Sequence, residues 1–325
     1  MVKGLAEILK PYIRLLRVGN LAFLAILLYV MEKWVAVPLL LSEKLSEQMP
    51  WWVLLVLILS VVLIAAGGYV INDYFDVKID RINRPDDLVV TRVISRETAL
   101  RIAQVLSGIG VVTGLVIAWW AHSWTLLFCY LIIPGLLWFY SSSYKRMLLV
   151  GNFVVAFVSA IVPLLVAIAH ADALRYEYGA ALAYTPIVGQ LYVWLGGFAA
   201  FAFLLTLARE AVKDIQDIEG DRELECRTMP IVWGVKWTKV FVTVVLLLTA
   251  ALIGYVVLNV LPFALDWHLM STRYVIFGLL VPIVCAIVLL WAAQSSIEYQ
   301  RAQLIIKFSM FMGVMYSFVI YQNLL

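Results

Sequence analysis

Nine apolar stretches follow one another along the chain, at about residues 18–41, 51–74, 98–121, 124–140, 150–170, 190–212, 238–262, 274–294 and 303–323. Crossing the hydrocarbon core of a bilayer takes roughly 20 residues, so each stretch is a candidate span. Inside lipid no water is at hand for backbone N–H and C=O groups, so a span must close its hydrogen bonds within itself or within a barrel. Continuous apolar runs of this length belong to helices. The expected fold class is therefore all-α integral membrane with nine transmembrane helices. A content of 64% hydrophobic and 14% charged residues, with a mean hydropathy of +0.98, excludes an ordinary soluble domain. The first run is interrupted by Glu32 and Lys33 and the fourth is short.

Residues 1–17 carry Lys3, Lys10, Arg14 and Arg17 among Leu, Ile and Tyr, which suits an interfacial arm lying on an anionic membrane face. No small-residue cleavage pattern follows the arm, which predicts a retained first helix rather than a signal peptide. Residues 1–325 read as one membrane-embedded domain, without a linker or low-complexity tract. The 171–189 connection, with Asp172, Arg175 and Glu177, is expected to be the longest outer loop.

If the arm faces the cytoplasm, 20 of the 24 Lys and Arg fall on the cytoplasmic side, leaving Lys33, Lys44, Arg175 and Arg273 for the other face. That bias predicts a multi-pass protein of the plasma membrane with a cytoplasmic N-terminus. The net charge of +3 is too small and scattered to point to nucleic acid. Cys129, Cys226 and Cys285 are unclustered and propose neither a disulfide framework nor a thiolate metal site. His122, His170 and His268 are isolated and read as interfacial histidines.

Acids are rare in this chain except in two places. In GGYVINDYFDVKIDRINR, from Gly67 to Arg84, an apolar helix runs without a break into Asn72, Asp73, Asp76 and Asp80. Asn72, Asp76 and Asp80 lie four apart and share one helix face, with Asp73 on its flank. In REAVKDIQDIEGDRELECR, from Arg209 to Arg227, Asp214, Asp217 and Asp221 again follow an apolar run at spacings of three and four. Both rows fall at ends of even-numbered helices, hence on one side of the membrane. The segments DVKIDRINR and DIEGDRELECR also share an Asp-x-x-x-Asp-Arg wording, as an internal duplication would leave.

Either row alone could be the solvated end of a helix with its acids paired to neighbouring Arg. Together they place carboxylates opposite a comparable number of Arg and Lys, a mixture suited to a cation bridging to phosphate oxygens. The expected metal ligands are Asp73, Asp76, Asp80, Asp217 and Asp221, with Mg²⁺ as the cofactor, and Asp73, Asp76, Asp217 and Asp221 are the expected catalytic set. Asn72, Arg84, Lys145, Arg209 and Lys213 are candidates for substrate phosphate, and Asn20 and Ser141 for lining a substrate cavity. Tyr69, Tyr140 and Asn152 are further polar groups on apolar segments, while Arg81, Arg222 and Arg227 suit lipid headgroups equally well.

These motifs resemble the UbiA superfamily of intramembrane prenyltransferases. Its NDxxDxxxD motif corresponds to Asn72, Asp73, Asp76 and Asp80, and its DxxxD motif to Asp217 and Asp221. RVGN at Arg17 to Asn20 is similar to the family's RPxN, and YSSSYKRMLLVGN at Tyr140 to Asn152 to its YSxxxKR followed by Gly-Asn. The chain departs from the pattern where Asp87 to Thr91 replace a Pro- and Gly-containing loop, and where Val18 stands in place of Pro. The resemblance implies a helical bundle around a central cavity, Mg²⁺ between the two Asp motifs, and transfer of a prenyl group from its diphosphate to a lipophilic acceptor. The wording REAVKDIQDIEGD is most similar to members that transfer geranylgeranyl groups to geranylgeranylglyceryl phosphate in ether-lipid synthesis. Aromatic-acceptor enzymes of quinone synthesis are the alternative. A secondary transporter or cation channel is a reading of another class, against which stands the clustering of the acids at one face.

Overall fold

The computed structural model describes residues 2–45, 49–259 and 270–324. Among them nine helices are long and apolar enough to cross a membrane: Val18–Ser42, Trp51–Asn83, Arg96–Trp120, Trp124–Ser142, Val150–Tyr184, Ile187–Gln216, Val235–Asn259, Met270–Ala292 and Ser296–Gln322. They are called the first to ninth spans below. The arm forms its own helix, Val2–Leu15, and the chain breaks at Arg17, whose φ of 50° is left-handed, before the first span begins.

Two spans are not regular. The first passes through a π-helical turn at Met31–Ala36 and the eighth through one at Tyr274–Leu280. Each turn is followed within two residues by a proline, Pro38 or Pro282, which has no N–H to return to the preceding turn, so the helix widens there to keep its carbonyls bonded. In the first span this places Glu32 fully inside the bundle, where its Oε2 lies 2.7 Å from His170 Nε2 of the fifth span. The isolated histidine of the sequence is thus a buried partner of the acid that interrupts the first apolar run. His122 stacks on Tyr176 with ring centroids 3.5 Å apart, and His268 lies outside the described residues.

The expected outer loop at 171–189 is largely helix. The fifth span continues to Tyr178 and a 3-10 turn carries the chain to Tyr184. Asp172 explains the extension: it accepts from Arg175 one turn on (2.8 Å) and from Ser123 at the start of the fourth span (2.5 Å). At the other end of the bundle, Val89, Val90 and Ile94 of the atypical loop after the second span are buried with Leu15, Val70, Ile71 and Val77.

The second and third spans pack through small residues. A Cβ added at Gly110 would stand 2.9 Å from the backbone N of Ile64 and 3.0 Å from the carbonyl O of Ser60, and one at Gly67 would stand 2.9 Å from Ala103 O. Backbones this close gain dispersion contact in a solvent that offers no hydrophobic drive between helices. Gly110→Val should therefore push the spans apart and cost about 1–3 kcal/mol. A thermal melt in detergent checks this, with Gly108→Val as control, since a Cβ there meets nothing within 4 Å.

Candidate active site

The second span overshoots the length a bilayer needs and carries Asn72, Asp76 and Asp80 on one face of its last three turns. The sixth span does the same with Glu210 and Asp214, then ends at Gln216, so that Asp217 becomes the hinge into a short helix, Ile218–Glu223, that holds Asp221. A small polar pocket lies between these ends. Asn72, Asp76, Asp80, Asp214, Asp217 and Asp221 line it, together with Arg17, Arg84, Lys145, Arg146, Lys213, Glu210, Tyr140 and Asn152.

Each acid row is neutralised from the other side of the site. Lys145 Nζ donates to Asp76 Oδ1 and lies 3.4 Å from Asn72 Oδ1, while Asn72 Nδ2 donates to the second Asp76 oxygen at 2.7 Å. Arg84, at the end of the first row, sets Nη2 2.7 and 3.0 Å from the two oxygens of Asp217 in the second. Asn83 closes a clasp beside it, donating to the carbonyl of Asp217 at 3.2 Å and accepting from Gly220 N–H at 3.0 Å. Gly220 has to be glycine for this contact, because a Cβ would meet the Asn83 side chain at 2.6 Å. Arg17 binds Asp73 at 2.9 Å, Asn152 binds Asp214 at 2.8 Å, and Thr228 donates to Asp221 at 3.1 Å.

Burial has opposite effects on the two kinds of charge. It pushes the Asp221 carboxyl up to about 6; the Thr228 hydrogen bond opposes the rise and the nearby Asp217 charge adds to it. It pulls the Lys145 ammonium below the usual lysine range, against the attraction of Asp76.

Beside the polar pocket lies an apolar cavity of about 1020 Å³, lined by the first, second, fifth, sixth, seventh, eighth and ninth spans. Asn20, Tyr69 and Arg209 lie on its wall. Tyr69 joins the two chambers, since its ring lies 4.9 Å from the guanidinium of Arg17, which lines the polar pocket. The arrangement offers a charged place for a phosphorylated head and an oily one for a long tail.

The UbiA prenyltransferase family matches residues 34–315 of the chain. The chain belongs to that family. A digeranylgeranylglyceryl phosphate synthase of Thermococcus kodakarensis is 37% identical over 178 residues, and the aligned region spans 55% of this chain and 56% of that relative. One of Methanosphaera stadtmanae is 26% identical over 316 residues, 96% and 97% of the two chains. Among solved structures, a UbiA homolog from Aeropyrum pernix K1 superposes with a TM-score of 0.64 at 15% identity, covering 94% of this chain and 97% of that one. A UbiA homolog from Archaeoglobus fulgidus bound to GPP and Mg²⁺ superposes with a TM-score of 0.57 at 16% identity, over 96% and 99%. These likenesses show the UbiA fold.

Seen on that fold, most of the residues marked by sequence come together. Asn72, Asp76, Asp80, Arg84, Lys145, Lys213, Asp217 and Asp221 share the polar pocket, with Tyr140 and Asn152. Asp73 sits on the flank, held by Arg17. Asn20, Tyr69 and Arg209 belong to the apolar cavity instead. Ser141 lines neither: its hydroxyl donates to Leu137 O one turn back (2.9 Å), as buried helical serines do when no other acceptor is in reach. Arg81, Arg222 and Arg227 line neither chamber. Arg17, the first residue of RVGN, and Glu210, whose four-residue spacing to Asp214 is a usable sign, join the pocket without having been among the candidate site residues.

Proposed function

We propose that the protein transfers a geranylgeranyl group from its diphosphate to geranylgeranylglyceryl phosphate, forming an ether bond of a membrane lipid. The observation that carries this reading is the pairing of the two chambers, one lined by carboxylates and cations and the other apolar and about 1020 Å³ in volume. That volume lies at the upper end of the roughly 300–1,000 Å³ range of ligand pockets and suits a long isoprenoid better than a short one. The names of the relatives in Thermococcus and Methanosphaera support the same acceptor.

Among the described residues no three acids, histidines or cysteines converge closely enough to hold a metal ion by themselves. The donor set still fits Mg²⁺. Asp76, Asp80, Asp217 and Asp221, helped by Asn72, offer only hard oxygens, and Mg²⁺ characteristically takes one or two carboxylates and completes its shell with water and substrate phosphate. The A. fulgidus homolog bound to GPP and Mg²⁺ supports the assignment. When bound, the ion would neutralise charge growing on the leaving diphosphate.

The chain's own groups do the rest. Lys145, Arg84 and Lys213 reach the phosphate oxygens, Lys145 and Arg84 exchanging their carboxylate partners for the substrate as it arrives. Breaking the allylic C–O bond sends its electron pair to the diphosphate, and these fixed cations stabilise that charge. The carbon left electron-deficient lies on the apolar side, where the acceptor hydroxyl forms the new C–O bond and passes its proton to the departing diphosphate. Asn20 and Tyr69, on the cavity wall beside the polar pocket, are the groups placed to orient that hydroxyl. The loading of Lys and Arg on the site's end of the bundle also favours an active site open to the cytoplasm.

Product analysis tests the reading. Purified protein with Mg²⁺ and geranylgeranyl diphosphate should convert geranylgeranylglyceryl phosphate to the diether phosphate, and EDTA should stop the reaction reversibly. Prenylation of 4-hydroxybenzoate or a dihydroxynaphthoate in place of that lipid would establish the quinone reading instead.

A further inference from the structure

Two charged residues line the apolar cavity among the described residues, and both are cations: Arg209 of the sixth span and Lys307 of the ninth. The polar pocket, by contrast, balances its five Arg and Lys with six carboxylates. Arg209 lies seven residues before the end of its span, about 10 Å along the helix, and Lys307 eleven residues after the start of its own, about 16 Å. Both stand on the wall of an apolar chamber, where a charge is costly unless it is paired.

The protein supplies only part of the pairing. Arg209 Nη2 donates to Glu210, yet its Nε is buried with no hydrogen-bond partner. Lys307 has no ion-pair or hydrogen-bond partner among the described residues. The charges that act on it are, in order, Arg209, Glu210, Arg17 and Lys213, three of them positive. An excess of positive charge stands on the wall of an otherwise oily chamber, with an unfilled donor beside it.

We propose that Arg209 and Lys307 form a second anion site, separate from the acid-lined pocket, that holds the phosphate of the lipophilic acceptor. This rests on the prenyl-transfer reading and adds to it the place of the acceptor head. A phosphomonoester brings a charge of about −1.5 to −2, which would draw on Lys307 and share Arg209 with Glu210, and its oxygens supply the acceptor that Arg209 Nε lacks. The two phosphorylated substrates are then told apart by surroundings. The diphosphate goes where carboxylates can share a divalent cation, and the monophosphate goes to a chamber whose wall carries no carboxylate. Each tail runs into the common apolar volume. Asn20 and Thr206, polar groups on the same wall, face the glycerol end of such an acceptor.

The test is a comparison of Lys307→Gln and Lys307→Arg with the parent, in detergent, using geranylgeranylglyceryl phosphate and its dephosphorylated alcohol as acceptors. Losing one charge-assisted contact should raise the KM for the phosphorylated acceptor about ten- to a hundredfold in Lys307→Gln. The KM for geranylgeranyl diphosphate should hold, the preference for phosphate over alcohol should collapse, and Lys307→Arg should restore most of it. A rise in the diphosphate KM instead would move Lys307 to the leaving-group site and overturn the proposal. So would an unchanged acceptor KM, including the case where only the response to anionic phospholipid in vesicles changes, which would make the site one for lipid headgroups. Failure of the parent protein to prenylate the phosphorylated lipid would show in the first assay, before any variant, and would overturn the underlying reading along with this one.

Discussion

Asp76→Asn and Asp217→Asn should each lower prenyl transfer by a factor of about 10² to 10³, the scale on which active sites lose rate when one fixed electrostatic contact to a developing charge is removed. Both changes keep the side-chain volume and remove only charge. At Asp76 the loss falls on two neighbours: Lys145 would face a neutral amide, and Asn72 would lose the carboxylate it donates to. At Asp217 the Arg84 contact weakens while the Asn83 clasp to the backbone carbonyl survives. Asp217→Asn should therefore be the better-folded of the two. Asp172→Asn serves as a control, since it removes a carboxylate bound to Ser123 and Arg175 at the far end of the bundle and should leave turnover unaltered. Rates near the parent value in either site variant, at saturating Mg²⁺, would remove these acids from the chemistry.

Gly197→Trp should change which prenyl donor is used. Gly197 lies on the cavity wall, and a Cβ built there meets nothing within 4 Å, so the new side chain starts out into open space. The volume it takes is lost to the isoprenoid tail. Denying the tail three buried methylenes forfeits about 2.4 kcal/mol at ~0.8 kcal/mol each, or roughly a sixtyfold loss in kcat/KM for the geranylgeranyl donor. Donors of five or ten carbons should be spared. The measurement is the ratio of kcat/KM across donor lengths, and a ratio that does not move would mean that the tail lies elsewhere.

The spans were legible because the bilayer leaves a chain few choices, and the acid rows because four-residue spacing on a helix puts groups on one face whatever packs beside it. What the sequence could not show is which neighbour turns toward which. Arg17 reads as one more basic residue of an interfacial arm, yet the helix break at its left-handed backbone aims it at Asp73, 56 residues away. Glu32 and His170 are 138 residues apart and look like two unrelated polar intrusions until the fold brings them together. Ser141 failed for the opposite reason. Its surroundings in the motif suggested a cavity, while the nearest acceptor was the carbonyl of its own helix. The apolar lining of the large cavity gave no sign at all, because Leu, Phe and Gly facing a substrate are written like those facing another helix.

The partners of the acids have an order in time. A chain enters the membrane from its N-terminus, so when Asp73 arrives Arg17 is already in place, and when Asp217 arrives Arg84 has been waiting for 133 residues. Asp76 alone of the three must wait, since Lys145 follows it by 69 residues and the third and fourth spans lie between. Until then its charge has only Asn72, one turn away, to donate to it. The second span thus ends in a carboxylate whose lysine is made only after the third and fourth spans, and the turn after the fourth span is the point in synthesis at which Asp76 gains its cation.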